Sequence, residues 1–306
     1  MALIDIRFGG YQKPASIHNR AAARFGEIVK SKLRGKVSFE LIGDVLALGR
    51  GSGDLLPMVE RGELSCCYIS TVRFTRSVAE FKLLELPFIV KDRTAVIAAL
   101  NGELGAYLKR RVLESTPYRV LGFWDNGFRH FSNRVRPIRT PADCRGLRIR
   151  TQMSELHGEA FSALGFEPIP ADIKEFVAEI AGDKFDAQDN PLTNIYNFGV
   201  HNVHRYITLS GHFFGASAFA FNNSVYESWP ADVRTTVDAA ALEATAYQHA
   251  LAAAEDAAML AKLSACDNKV IALTAAEQAA FASALAPLLE KYRRELGPGI
   301  FARLEQ

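Results

Sequence analysis

Two arginines, Arg129 and Arg150, are the side chains on which a chemical reading of this chain can be built. Arg129 ends the run W-D-N-G-F-R from Trp124, in a segment that reads as part of a strand pair, and Arg150 closes the apolar-alternating run Gly146 to Thr151. A guanidinium is a planar fork of N–H donors that keeps its charge at ordinary pH, so it grips a carboxylate through two parallel charge-assisted hydrogen bonds. If the two elements are neighbours, the forks converge on one spot and define an anion site. Taken singly, an arginine at a strand end is more often a solvated surface charge. Catalytic patterns are missing: there is no G-x-S-x-G elbow, no H-E-x-x-H and no G-x-x-x-x-G-K-[ST], and GRGSGD lacks the strand-to-helix spacing of a dinucleotide loop. His157-Gly158-Glu159 is half of a deaminase signature, but the P-C-x-x-C that completes it is absent. Asp183 and Asp186 are paired acids that nothing in the sequence places in a cleft. No enzyme is expected, and neither a cofactor nor a metal is implied.

The elements that must position these residues alternate. Ile4 to Phe8 alternates apolar with polar and runs into Gly9-Gly10, as a strand entering a loop does. Ser16 is placed to cap a helix through Ala21, Phe25, Val29 and Leu33. Lys36 to Gly43 reads as a second strand, Gly53 to Arg61 as a short helix and Cys66 to Ser70 as a third strand. This β-α-β-α-β order predicts a mostly parallel sheet with helices on its faces, and ligands in such sheets bind beyond the carboxyl ends of the strands. That rule points to Gly9 to Tyr11, the loop around Asp44, and Ser70 to Arg73. Further on, the spacing predicts a helix over Ala95 to Leu113 and a strand YRVLGFW. Ser154 caps a helix over Glu155 to Leu164 that Gly165 ends, and a short strand, a helix over Ile173 to Ala181 and another strand follow. A helix of unusual length spans Asp232 to Asp267, where neither Pro nor Gly occurs. Lys269 to Leu273 is one more strand, and Thr274 caps a final helix to about Leu296.

At 306 residues the chain is long enough for two lobes, and 49% hydrophobic with 23% charged residues is ordinary for a globular protein. A net charge of +2 argues against a nucleic-acid partner. No apolar run is long enough to span a membrane, and MALIDIRFGG shows no basic region followed by an apolar stretch, so no export signal is visible. The four cysteines, at 66, 67, 144 and 266, have no C-x-x-C spacing, which argues against zinc; their even number permits disulfides without defining any.

Three motifs, W-x-x-G-F-R at Trp124 to Arg129, R-P-I-R-T-P-A-D at Arg136 to Asp143 and G-L-R-I-R at Gly146 to Arg150, together resemble the DctP-type substrate-binding proteins of TRAP transporters. ELPFIVKD (Glu85 to Asp92) is similar to that family's L-P-F segment, and FDAQDNP (Phe185 to Pro191) to its V-D-G-x-E-N-P segment, with Asp189 in place of Glu and Ala187 in place of Gly. The resemblance implies an α/β, two-lobed periplasmic-binding-protein fold, each lobe a mostly parallel sheet flanked by helices, with a long helix bridging both. Residues 1–123 plus about 212–251 would form the first lobe, and about 124–211 plus 252–306 the second, with a ligand cleft between them. It implies a monomer that captures a small organic acid anion and delivers it to the small and large integral membrane subunits. It also implies a periplasmic location, so the sequence reads as a mature form whose leader has been removed. A ligand-sensing module for a signalling receptor is the alternative.

By the same resemblance, Arg150 makes the bidentate salt bridge, Arg129 adds a second cationic contact and Asn190 donates a hydrogen bond. Arg73, Tyr11, Gln152, His212 and Phe214 complete the implied ligand set. So does Asp172, whose own sequence context favours the N-cap of the following helix. For Asn190 an Asx-turn before Pro191 is the plain alternative, for Arg73 a loop ion pair, and for the aromatic pair at Phe213 and Phe214 a place in the core. Ser70 stands where sialic-acid-binding relatives carry an acidic residue, which argues against that ligand. Sugar acids such as a hexuronate or aldonate, C4-dicarboxylates and 2-oxo acids are the classes implied.

Overall fold

The computed structural model describes residues 3–305, which form two compact units. Unit 1 comprises Met1–Val78, Ala98–Asp125 and Ala216–Ala254; unit 2 comprises Ala79–Ile97, Asn126–Gly215 and Glu255–Gln306. Among the described residues there are nine strands: β1 (Ile4–Gly9), β2 (Val37–Ile42), β3 (Cys66–Ser70), β4 (Tyr118–Asn133), β5 (Arg148–Thr151), β6 (Glu167–Pro170), β7 (Ala187–Pro191), β8 (Tyr206–Asn222) and β9 (Lys269–Ala272). Both β4 and β8 contribute residues to each unit, as does the 34-residue helix Ala231–Ser264.

In unit 1, β1 pairs in parallel with both β2 and β3, and β8 closes β3 in antiparallel. The helix Ile17–Lys32 starts where expected, because the Ser16 hydroxyl accepts the Asn19 N–H, and its buried Ala21, Ala22, Phe25, Ile28 and Val29 recur on one face. An aromatic core holds Phe219 4.9 Å from Phe8, 5.1 Å from Phe25 and 5.3 Å from Trp124 between ring centres. The chain leaves β1 through Gly10 because a Cβ there would lie 2.4 Å from the Tyr68 ring. In unit 2, β5 pairs in parallel with β6 and β7, β9 pairs in parallel with β8, and β4 pairs in antiparallel with β7. Its core gathers Phe131, Phe161, Phe166 and Phe281.

Two expectations need correction. The single helix over Ala95 to Leu113 is two, Arg93–Asn101 and Glu103–Ser115, because Gly102 leaves helical geometry at φ −102° and ψ −140°. The segment Ala79–Ile97, assigned to the first lobe above, clusters with unit 2. Buried Glu85 lies 3.0 Å from His157 and the Phe88 N–H donates to the His212 carbonyl at 2.8 Å, so side chain and backbone both tie the segment there. All four cysteines are free thiols, three of them buried.

Candidate functional site

Strand register decides what the unit 2 residues do together. On β7, Gln188 pairs with Arg150 of β5 and with Ser132 of β4, so these three side chains leave one face of the sheet, and Asn190 and its partner His130 share that face. Arg129 pairs with Pro191, one position out of phase, and so leaves the other face together with Asp189 and Phe131. Arg129 and Arg150 therefore leave opposite faces of the sheet.

Arg150 is 4% exposed. Its Nε–H donates to the Ala171 carbonyl at 2.9 Å and its guanidinium lies over the Phe176 ring at 5.8 Å, so two contacts orient the outer edge of the fork. Asn190, 3% exposed, is held inside a polar chain: it donates to Gln188 Oε1 and accepts from Asn194 Nδ2 at 3.2 Å. Gln188 in turn donates to Ser132 Oγ at 2.6 Å, and Ser132 meets His204 Nδ1 at 3.0 Å. An amide nitrogen carries two protons, so Asn190 retains one for a further acceptor. Nothing in this arrangement is an Asx-turn.

On the opposite face Arg129 is 3% exposed and gives Nε–H to Asp189 Oδ2 at 2.5 Å and an Nη2–H to the Asp189 carbonyl at 2.6 Å. Burial alone would push the Asp189 carboxyl up, but the Arg129 guanidinium and His212 together hold it well below the usual carboxylate range. Its charge balances that of Arg129, and the shorter Asp in place of the family Glu still reaches. His212 Nε2 stands 3.5 Å from Asp189 Oδ2. Its ring stacks on Phe131 at 4.1 Å, its Nδ1 meets Ser210 Oγ at 2.7 Å, and burial lowers its pKa.

The remaining expected residues divide between the units. In unit 2, Asp172 accepts the Lys174 N–H and caps the helix Ile173–Ala178. Phe214 is 1% exposed and packs edge to face on Phe128 at 5.4 Å, and Gln152 is half-buried just past β5. In unit 1, Tyr11 is 7% exposed, its N–H donates to Tyr68 Oη at 3.2 Å, and Arg73 donates to Ser52 Oγ at 3.1 Å. Asp186, one of the paired acids, accepts from Arg148 at 2.8 and 2.9 Å, and that guanidinium lowers its pKa to about 2. It serves an ion pair.

Sequence reasoning missed two residues of unit 1. Gln12 and His18 are 1% and 0% exposed, yet none of their side-chain nitrogen and oxygen atoms has a hydrogen-bond partner among the described residues. Such burial costs free energy unless water or a ligand completes it. Gln12 follows directly on the Gly9 to Tyr11 loop at the carboxyl end of β1, which was the available signal. No cluster of His, Cys, Asp and Glu among the described residues could hold a metal ion, and no helix there is long and apolar enough to cross a membrane.

The family model for bacterial extracellular solute-binding proteins, family 7, of the DctP type, matches residues 8–295, and the chain belongs to this family. It is similar to the C4-dicarboxylate-binding periplasmic protein of Rhodobacter capsulatus, with 28% identity over 99% of this chain and 90% of that one. It is also similar to the 2,3-diketo-L-gulonate-binding periplasmic protein of Escherichia coli K12, at 26% identity over 93% and 85%. Among solved structures, a TRAP periplasmic solute-binding protein of Sulfurospirillum deleyianum with bound succinate superposes with a TM-score of 0.93, at 27% identity and covering 100% of this chain and 99% of that one.

Proposed function

We propose that this protein binds a small organic acid anion in the periplasm and hands it, chemically unchanged, to the membrane subunits of a TRAP transporter. Arg150 carries the reading. Its guanidinium is buried, with its Nε–H on the Ala171 carbonyl and its face over the Phe176 ring, and a planar fork of this kind meets a carboxylate in two parallel bonds. Asn190, on the same sheet face and fixed by Gln188 and Asn194, supplies a neutral donor beside it. Arg129 lies on the opposite sheet face with its charge balanced by Asp189, so the face of Arg150 and Asn190 carries the positive charge of Arg150 and suits one carboxylate group. Relatives named for C4-dicarboxylates and for a keto sugar acid support the classes to be tried.

A thermal-shift screen with succinate, an aldonate, a hexuronate and a 2-oxo acid tests the reading. A ligand present at 100 times its dissociation constant adds about 2.7 kcal/mol of stability, which moves an unfolding midpoint by several degrees. At least one class is expected to do so and to be recovered intact after incubation. No shift with any carboxylate, or conversion of the ligand, would contradict the proposal.

A further inference from the structure

Unit 2 contains an open cavity of about 770 Å³ that none of Arg150, Asn190, Arg129 and Asp189 lines. That volume lies within the roughly 300–1,000 Å³ of small-molecule sites, and the lining has their usual composition, apolar with a few polar groups. Phe88, Phe128, Leu209 and Leu260 supply apolar walls, and alanines of the helices Ala231–Ser264 and Ala275–Leu296 form a rim too short to fill the space.

Two polar groups in it, His130 and Lys91, share one preference. The Gly211 N–H donates to His130 Nδ1 at 3.0 Å, so Nδ1 is the acceptor of a neutral ring and the ring proton sits on Nε2. Burial lowers the His130 pKa to about 3, which keeps the ring neutral and its tautomer fixed across the physiological range. No other hydrogen bond to the His130 side chain occurs among the described residues, so Nε2–H is a donor without an acceptor in a wall of the cavity. Lys91, exposed at the margin, makes no ion pair among the described residues. Asp256, the acid in the lining, is neutralised by Arg93. A fixed donor and an unbalanced cation both call for an anionic acceptor, and the walls call for an apolar body.

Phe88 also shows that the wall is built. It has a φ of 56°, a left-handed conformation that bulky residues rarely adopt and that costs on the order of 1–3 kcal/mol. Its N–H is tied to the His212 carbonyl at 2.8 Å, so the backbone is held at the cavity wall.

We propose that this cavity is a second small-molecule site, separate from the Arg150 clamp, and that it takes a monocarboxylate with an apolar body, the carboxylate meeting Lys91 and the His130 Nε2–H. Octanoate is the probe, titrated calorimetrically into the full chain carrying Arg150→Ala, so that binding at the clamp cannot be mistaken for binding here. One octanoate per chain is expected. Ala279→Trp fills the cavity from an exposed rim position and should weaken binding at least about tenfold, since an overpacked wall has no room for the ligand. Lys91→Glu should weaken octanoate by about threefold to fivefold and favour octan-1-amine instead, as a part-exposed charge pair predicts. Made singly in the chain that keeps Arg150, both substitutions should leave the response to the clamp ligand as it is in the unmodified chain, which shows that they are folded. Absence of octanoate binding to Arg150→Ala at millimolar concentration, or binding that neither substitution alters, would overturn the proposal without touching the clamp.

Discussion

At Arg150 the guanidinium rests on Phe176 and spends one N–H on a main-chain carbonyl, whereas at Arg129 the same group is matched to a buried carboxylate. These environments predict different consequences of substitution. Arg150→Lys keeps the charge but loses the fork, so anion affinity should fall nearly as far as for removal of the side chain, and a calorimetric titration reads it. Asp189→Asn leaves the Arg129 charge buried without its counter-ion, which typically costs about 3–5 kcal/mol, and urea unfolding should show a loss in that range. A loss below about 1 kcal/mol would mean that the pair contributes little. The types and spacing of Arg129, Arg150 and Asn190 marked them in the sequence. That Asp189 would neutralise Arg129 was not legible, because the partners are 60 residues apart and their meeting depends on which residue of β7 faces which of β4. Gln12 and His18 escaped notice for a related reason: a buried orphan atom is a property of packing.

Local signals placed the elements well wherever a cap was present. Ser16, Ser154, Asp172 and Thr274 each accept a backbone N–H at the helix start that their position had suggested. Thr274 also forms a reciprocal box with Glu277, so Thr274→Ala should cost about 1 kcal/mol of stability in chemical denaturation. The break at Gly102 was invisible to apolar spacing, since the residues on either side keep helical periodicity. Its consequence is a tight approach: a Cβ on Gly105 would fall 1.7 Å from the Leu100 carbonyl oxygen. Gly105→Ala should therefore destabilise the chain by several times the effect of Thr274→Ala, although alanine is the better helix former. A neutral or stabilising Gly105→Ala would contradict this geometry. The placement of Ala79–Ile97 likewise rests on the long-range pairs of Glu85 and Phe88, which no window of neighbouring residues contains.

For the chain as a whole, buried histidines set the acid response. Burial lowers His18 and His130 to about 3 and His204 to about 4, against 6.5 when unfolded. As pH falls below about 6.5 the unfolded chain takes up these protons and the folded chain does not, so each histidine removes stability at up to about 1.4 kcal/mol per pH unit until its folded pKa is reached. Asp189 and Asp186, both depressed, act in the same direction, but only below the unfolded carboxylate value of 3.8. The denaturation midpoint should therefore decline steadily from pH 6.5 to 4.5, before the carboxylates titrate; a flat midpoint over that window would show the histidines to be protonated or solvated in the folded state. The family and the α/β class were legible from motifs spread along the chain, whereas the acid bound depends on shape that motifs do not encode.

The most direct test is a calorimetric titration of the best-stabilising carboxylate from the screen into the unmodified chain and into Arg150→Ala. Truncating one partner of a desolvated charge pair costs roughly 2–5 kcal/mol, so the variant should bind at least about thirtyfold more weakly while unfolding at a similar midpoint. Equal affinities in the two proteins would remove Arg150 from the site and the account with it.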